Sequence, residues 1–442
     1  MQGAEGHLNP LEENPELIHI FTAGDHYSPK TGSSVPTVIY EISRNHDLRS
    51  GRSRVLVGCD TFKGFPPYPI GQPFEVDFGK FPPRAVRMID ALLGAAHLTR
   101  RFKWKVYSAA CDAIAPDFAG WIIVHGEPAI IRPLKKARPD AKIALYCHYD
   151  LFRWYTRPEV RAILGDLDCI VCISQYIARY VAAKAGGWSA KLGVVMNGVD
   201  TVRFSPPTTP PGGEALILFA GRVHPDKGVH LLMRAALELK RRGHRFRLKI
   251  AGGQLLARGV PLSDYETQLR TLGDQLGDAV QFVPFVDREN IPELYREANI
   301  FCAPSVWNEP FGLVVAEALS SGLPVVASRR GTIPEVGGDA VLYFEVPDTL
   351  QLADQLERLL VDEELRLKLG RAARARALQL TWSAAYDGLM SLFNSSRNGR
   401  FEAHSGPIRS SVRSSDVGDF PSRALEEREH AVGANSQIKV RS

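Results

Sequence analysis

Glu309 and Glu317 stand with seven residues between them in the run Asn308-Glu309-Pro310-Phe311-Gly312-Leu313-Val314-Val315-Ala316-Glu317. Pro310 and Gly312 mark a turn, residues 313–320 read as an apolar helix, Gly322 can cap its end, and residues 324–328 read as a short buried strand. One carboxylate therefore precedes a helix N-terminus and the other lies on that helix's second turn. Amide groups at a helix N-terminus favour phosphate or sugar oxygens, and an ionised carboxylate can accept hydrogen bonds from two hydroxyls of a ribose or hexose. The pair suits a sugar nucleotide. The same residues also read as a carboxylate steadied by the helix dipole and a solvated helical glutamate, and spacing alone leaves both readings open.

Upstream, Phe219-Ala220-Gly221-Arg222-Val223-His224-Pro225-Asp226-Lys227-Gly228 reads as a strand end, a tight turn at Gly221 and the start of a helix. Arg222 brings a planar fork and Lys227 a point charge to a place where a diphosphate would be clamped. Neither cation has an evident structural duty, so a pair of exposed surface charges is the alternative. Asn197-Gly198 reads as a structural turn that closes a first domain and sets a hinge.

These residues need a scaffold, and the chain supplies an alternating one. Short runs rich in Ile and Val at residues 17–22, 54–57, 120–124, 143–147 and 169–173 are separated by helical periodicity, as at 36–44 and 85–98. A Pro-rich break at 205–213 is followed by a second series at 215–220, 247–251, 280–283, 300–303, 324–327 and 341–343. This pattern predicts two doubly wound, Rossmann-like α/β domains facing across a cleft, with ligands beyond the carboxyl ends of the strands. The expected division is a first domain over 1–204, a linker over 205–213, a second domain over 214–381, a helix over 382–395 that crosses back, and a disordered tail over 396–442.

Composition narrows the class. The chain has 442 residues, 45% hydrophobic and 23% charged, with a net charge of +5. That is ordinary for a soluble protein and small for a nucleic-acid binder, so no nucleic-acid partner is expected. Six cysteines in such a length make no disulfide framework, and Cys169 and Cys172 sit in an apolar run that reads as a buried strand. No signal-like apolar core and no stretch of membrane-spanning length is evident, so a cytoplasmic protein is expected. The cations and aromatics of Arg100-Arg101-Phe102-Lys103-Trp104-Lys105 read as a solvated helix edge, with a weak peripheral contact to the inner face of the membrane as the alternative.

The Gly-Arg and Lys-Gly pattern at 221–228, the Asn-Gly-Val-Asp segment that leads to Phe204, the two glutamates, and the Gly322-Leu323-Pro324 and Pro334-Glu335-Val336 segments occur in a set order. Together they resemble a retaining GT-B glycosyltransferase of family 4 over residues from about 15 to 395. The resemblance implies that Arg222 and Lys227 neutralise a diphosphate, that Glu317 holds the nucleotide ribose, and that Glu309 lies beside the transferred sugar. Backbone N–H groups of Phe311, Gly312, Leu313 and Val314 would meet sugar hydroxyls and phosphate. Gly32, in Lys30-Thr31-Gly32-Ser33-Ser34, matches the family's glycine-containing loop, although one glycine stands where two are often found. His125 resembles the histidine that lines the reaction centre, and His148 resembles an acceptor-side residue.

The expectation is therefore a cytoplasmic glycosyltransferase that moves a sugar from a nucleoside diphosphate to an acceptor hydroxyl on a saccharide, lipid or other compound, with retention. No cofactor and no metal are expected: the two cations do a metal's work, and no Asp-x-Asp segment stands in a matching position. A sugar-nucleotide epimerase of the same fold and a catalytically silent nucleotide-sugar binding module are the rival readings.

Overall fold

The computed structural model describes residues 15–22, 25–30, 33–58, 67–70, 72–74, 84–96, 98, 100–187, 191–253, 261–284 and 286–397. Two parallel sheets form the frame. The first contains β1 (Leu17–Ile20), β2 (Ser53–Gly58), β3 (Gln72–Phe74), β4 (Trp121–His125), β5 (Lys142–Cys147), β6 (Cys169–Cys172) and β7 (Leu192–Val194), in the order β3-β2-β1-β4-β5-β6-β7. The second contains β8 (Leu216–Ala220), β9 (Arg247–Ala251), β10 (Val280–Val283), β11 (Ile300–Ala303), β12 (Val325–Ser328) and β13 (Val341–Phe344), in the order β10-β9-β8-β11-β12-β13. Each sheet reverses its strand order once, between β1 and β4 and between β8 and β11. Such a reversal opens a crevice at the carboxyl ends of the strands.

The apolar runs became strands because both faces of each sheet are covered. Leu17, Ile18, Trp121, Ile122, Ile143, Ile170 and Val171 are all fully buried, which only a sheet packed on both sides requires. The helix Ser34–Asp47 lays Val35, Val38, Ile39 and Ile42 on this core at the spacing of one helical face. Cys169 and Cys172 are buried within β6, and burial pushes both thiols up, the opposite of a reactive or metal-ready pair.

The chain passes between the sheets twice, and the two passages touch. Val199 pairs with Thr381 in a parallel bridge, and Val199 N–H donates to Leu380 O at 2.8 Å. A Cβ on Gly198 would lie 2.3 Å from Trp382 N, so only glycine fits there. The final helix, Trp382–Arg397, returns to the first sheet, where Phe393 stacks on Trp121 with ring centroids 3.8 Å apart. An aromatic pair of this kind adds about 1 kcal/mol beyond its buried area. The expected tail starts too early: Ser396 is in this helix and donates to Asp168 O at 2.8 Å. The rest of the expected tail lies outside the described residues.

A second expectation also needs correction. Arg100 is no solvated helix edge, because its guanidinium donates twice to the buried Glu159, at 2.8 and 3.0 Å, and lies over the Tyr155 ring. Among the described residues, no helix is long and apolar enough to cross a membrane.

Candidate active site

The second-sheet wall is built at the reversal between β8 and β11. After β8, Gly221 turns the chain and leaves Arg222 half-buried at the carboxyl edge. A short 3-10 turn, Pro225–Lys227, follows, with the His224 side chain accepting from Asp226 N–H at its start. Gly228 sits at φ 69°, and a Cβ there would fall 1.9 Å from Pro304 O. Val306 N–H donates to Asp226 O at 2.8 Å, which ties this turn to the loop after β11. The close approach brings Lys227 Nζ to 2.5 Å from Glu309 Oε1.

Lys227 therefore has a structural duty that spacing did not reveal. Its ammonium lies 5.3 Å from the Trp307 ring centroid, and Glu309 Oε1 also accepts from Ser305 Oγ at 2.6 Å. Burial alone would raise the Glu309 carboxyl, but the Lys227 charge and the hydrogen bonds outweigh it and hold the group below its usual range. Thr332 N–H donates to Glu309 O at 2.8 Å and fixes the backbone from the other side.

Phe311 is buried, and Gly312 takes φ 85° as the cap before the helix Leu313–Ser320. Val315 is the first residue whose N–H turns back to Gly312 O. The amides of Leu313 and Val314 precede it, at the end of the helix that favours anions. Glu317 is on the same helix but does not join Lys227. Its Oε2 accepts from Tyr295 OH at 3.0 Å, and burial raises its carboxyl although Arg288, Tyr295 and Arg203 pull the other way.

The first-sheet wall is different in kind. His125 closes β4 and His148 lies one residue beyond β5. His125 Nδ1 is 2.8 Å from His148 Nε2, so the two histidines form one unit. A third imidazole that spacing did not single out, His19 in β1, has Nδ1 3.0 Å from His125 Nε2. Gly32 lies outside the described residues. Among the described residues, no group of three or more His, Cys, Asp or Glu side chains is arranged to hold a metal ion.

The two walls face each other because residues beyond β6 touch the loop beyond β11 and β12. Glu335 accepts from Gln175 N–H and Tyr176 N–H, each at 2.7 Å, and so caps a helix of the first half from the second. Thr332 Oγ1 is 2.9 Å from Ser174 Oγ and donates to Pro310 O at 2.7 Å. At the other end, Arg288 donates to Thr37 Oγ1 at 2.6 Å and to Tyr68 OH at 3.3 Å. Glu335 was visible in the sequence as part of a motif, but its partner, 160 residues away, was not.

Comparison with known proteins decides the class. The profile "Glycosyltransferase Family 4" matches residues 35–203, and "Glycosyl transferases group 1" matches residues 202–376. The chain belongs to the group 1 glycosyltransferases. This glycosyltransferase is 28% identical over 297 residues to spore coat protein SA of Bacillus subtilis strain 168, covering 62% of this chain and 78% of that one. It is 35% identical over 214 residues to a D-inositol 3-phosphate glycosyltransferase of Saccharomonospora viridis, covering 45% of this chain and about half, 49%, of that one. Its fold matches HepE of Anabaena, solved with UDP and glucose, with a TM-score of 0.63 and 17% identity over 86% of this chain and all (100%) of that one. The two facing sheets are those of the GT-B fold.

Proposed function

We propose that this glycosyltransferase takes a nucleoside diphosphate hexose as donor and transfers the sugar to an acceptor hydroxyl with retention, without a metal ion. The observation that carries the reading is the Lys227–Glu309 pair, held beside Arg222 and the Leu313–Ser320 helix N-terminus at the second-sheet reversal. When a donor enters, Arg222, Lys227 and the helix amides meet the diphosphate. Glu309 accepts from sugar hydroxyls, and Glu317 accepts from the ribose.

As the bond between the anomeric carbon and the diphosphate breaks, negative charge gathers on the leaving oxygens. Fixed positive groups stabilise that charge more than the ground state, which lowers the barrier. The acceptor oxygen forms the new bond on the face the diphosphate leaves, and its proton passes to the departing phosphate. His148 stands on the acceptor side, and His125, whose two ring nitrogens are engaged by His19 and His148, acts on the reaction centre through His148. The UDP and glucose in HepE support a uridine nucleotide as the first donor to try.

The test is a transfer and hydrolysis assay with UDP-, GDP- and ADP-hexoses in chelator, with simple saccharides, a lipid alcohol and an inositol phosphate as acceptors. Transfer with an unchanged anomeric configuration supports the reading. Isomerised donor without transfer would mark an epimerase, and binding without turnover would mark a silent module.

We also propose that the protein works in the cytoplasm against the inner face of an anionic membrane. Met88, Ile89 and Leu92, on the helix Arg84–Ala95, are 67%, 47% and 68% exposed, and Arg101, Lys103 and Lys105 follow in the chain. Sedimentation with anionic and neutral vesicles tests this: Met88→Ser with Leu92→Ser should abolish anionic-vesicle binding. Equal binding by the variant would remove this helix from the account.

A further inference from the structure

The first-sheet wall carries a hydrogen-bonded row of three imidazoles, one on each of three adjacent strands. His19 pairs in register with Ile123, two residues before His125, and Tyr146 pairs with His125, two residues before His148. Alternation along a strand therefore puts all three histidines on one face of the sheet, stepping diagonally towards its carboxyl edge. The rings are stacked at centroid separations of 5.2 Å for His19–His125 and 5.1 Å for His125–His148. His19, His125 and His148 are all buried, at 1%, 1% and 5% exposure, and the His148 end lies just beyond the carboxyl end of β5, on the side where the cleft is expected.

We propose that His19 is a positioning residue that, through His125, fixes His148 as an N–H donor towards the acceptor rather than as a base. The proposal rests on the acceptor-side reading of His148 given above. A neutral imidazole has one N–H and one bare nitrogen, and His125 uses both of its nitrogens within the row. The three tautomers are therefore linked. If His19 Nδ1–H donates to His125, then His125 Nδ1–H donates to His148 Nε2, and His148 is left with its proton on Nδ1. If the row runs the other way, all three protons are on Nε2, and His148 offers a bare nitrogen to the cleft.

The His19 end chooses between these states. Among the described residues, His19 Nε2 is buried without a hydrogen-bond partner. The reverse row would place an N–H on that atom, and a buried N–H left without an acceptor is rarer than a buried acceptor left unsatisfied. The forward row leaves only a lone pair there. His46, the other histidine whose charge would bear on His19, is outside the row: its Nε2 donates to Pro15 O at 3.0 Å, and its Nδ1 accepts from Tyr386 OH at 2.9 Å. Burial, with neighbouring imidazoles disfavouring a second charge at His19 and His125, keeps the row neutral.

The experiment is nitrogen-15 NMR of the full chain labelled at histidine, which reads the tautomer of each ring without any substrate. The wild type should show His19, His125 and His148 all protonated at Nδ1 and neutral at pH 7. In His19→Phe the preference at His125 and His148 should be lost and kcat should fall about tenfold at unchanged donor KM. His19→Asn, whose amide can replace the Nδ1 donor, should restore both. Protons on Nε2 in the wild type, an imidazolium, or His19→Phe with an unchanged spectrum would overturn the proposal. If the spectrum is as stated but His148→Ala retains full acceptor turnover, the acceptor-side reading fails and the linked tautomers stand.

Discussion

Both halves of this glycosyltransferase place their polar groups at the same topological point, the reversal of strand order, yet they use opposite electrostatics. Between β8 and β11 the wall is charged: Arg222, the Lys227–Glu309 pair and the amides of a helix N-terminus. Between β1 and β4 it is neutral and buried, a row of imidazoles with no charge to offer. The difference follows the proposed bond that breaks. Charge develops on the departing diphosphate, which the second half would hold, whereas the first half has to aim a hydroxyl without competing for that charge.

Removing charge from the second wall should have the largest effect. Arg222→Ala should lower turnover roughly 100-fold or more with little change in melting temperature. Lys227→Ala should lose as much turnover and also about 3–5 kcal/mol of stability, because it leaves the Glu309 carboxylate buried and unpaired. Lys227→Ala with Glu309→Gln should regain stability but not turnover. If Lys227→Ala melts like the wild type, the pair is not the structural element described here.

The neutral wall should reveal itself in acid. Burial takes the His19 and His148 pKa values down to about 3, so between that value and about 6.5 the unfolded chain binds protons that the native state refuses. Stability must then rise with pH across this window. Lowering the pH from 7 to 5 should remove about 2 kcal/mol for each such imidazole. His19→Asn should lose correspondingly less, as measured by denaturant melts of both proteins at the two pH values. Parallel losses in both would show that His19 is already charged or already exposed.

Within the charged wall the two glutamates should separate. Glu317→Ala should weaken free nucleoside diphosphate and donor alike, by about tenfold, whereas Glu309→Ala should weaken only the sugar-bearing donor to that extent. Calorimetry with both ligands checks this, and equal losses with free nucleotide would merge the two roles. Residues 398–442 carry no apolar periodicity, so their removal should leave turnover and melting temperature unchanged. A lower melting temperature on truncation would mean that they pack on the body.

The strands of both sheets were legible because runs such as 143–147 and 300–303 are apolar on both faces, which is what a covered parallel sheet demands. The edges β3 and β7 were not, being three residues each and carrying Pro73 and Gly193. Glu309, Glu317, Arg222 and Lys227 were visible as residue types in a set order. The Lys227–Glu309 pair was not, since the partners are 82 residues apart and meet only because Gly228 lets two loops touch. His19 escaped for a different reason: a single polar residue within an apolar strand has no local signal until the neighbouring strands place His125 beside it. Glu335 and Arg288 join the two halves through contacts that no local pattern announced.

The central claim is that fixed cations of the second wall hold a diphosphate without a metal. Calorimetric titration of wild type and Arg222→Ala with UDP, GDP and ADP and their hexose derivatives, in chelator, tests it most directly. The account predicts saturable binding of at least one diphosphate pair by the wild type, weakened at least tenfold in Arg222→Ala. Binding that appears only after a divalent ion is restored, or that Arg222→Ala leaves unchanged, would contradict it.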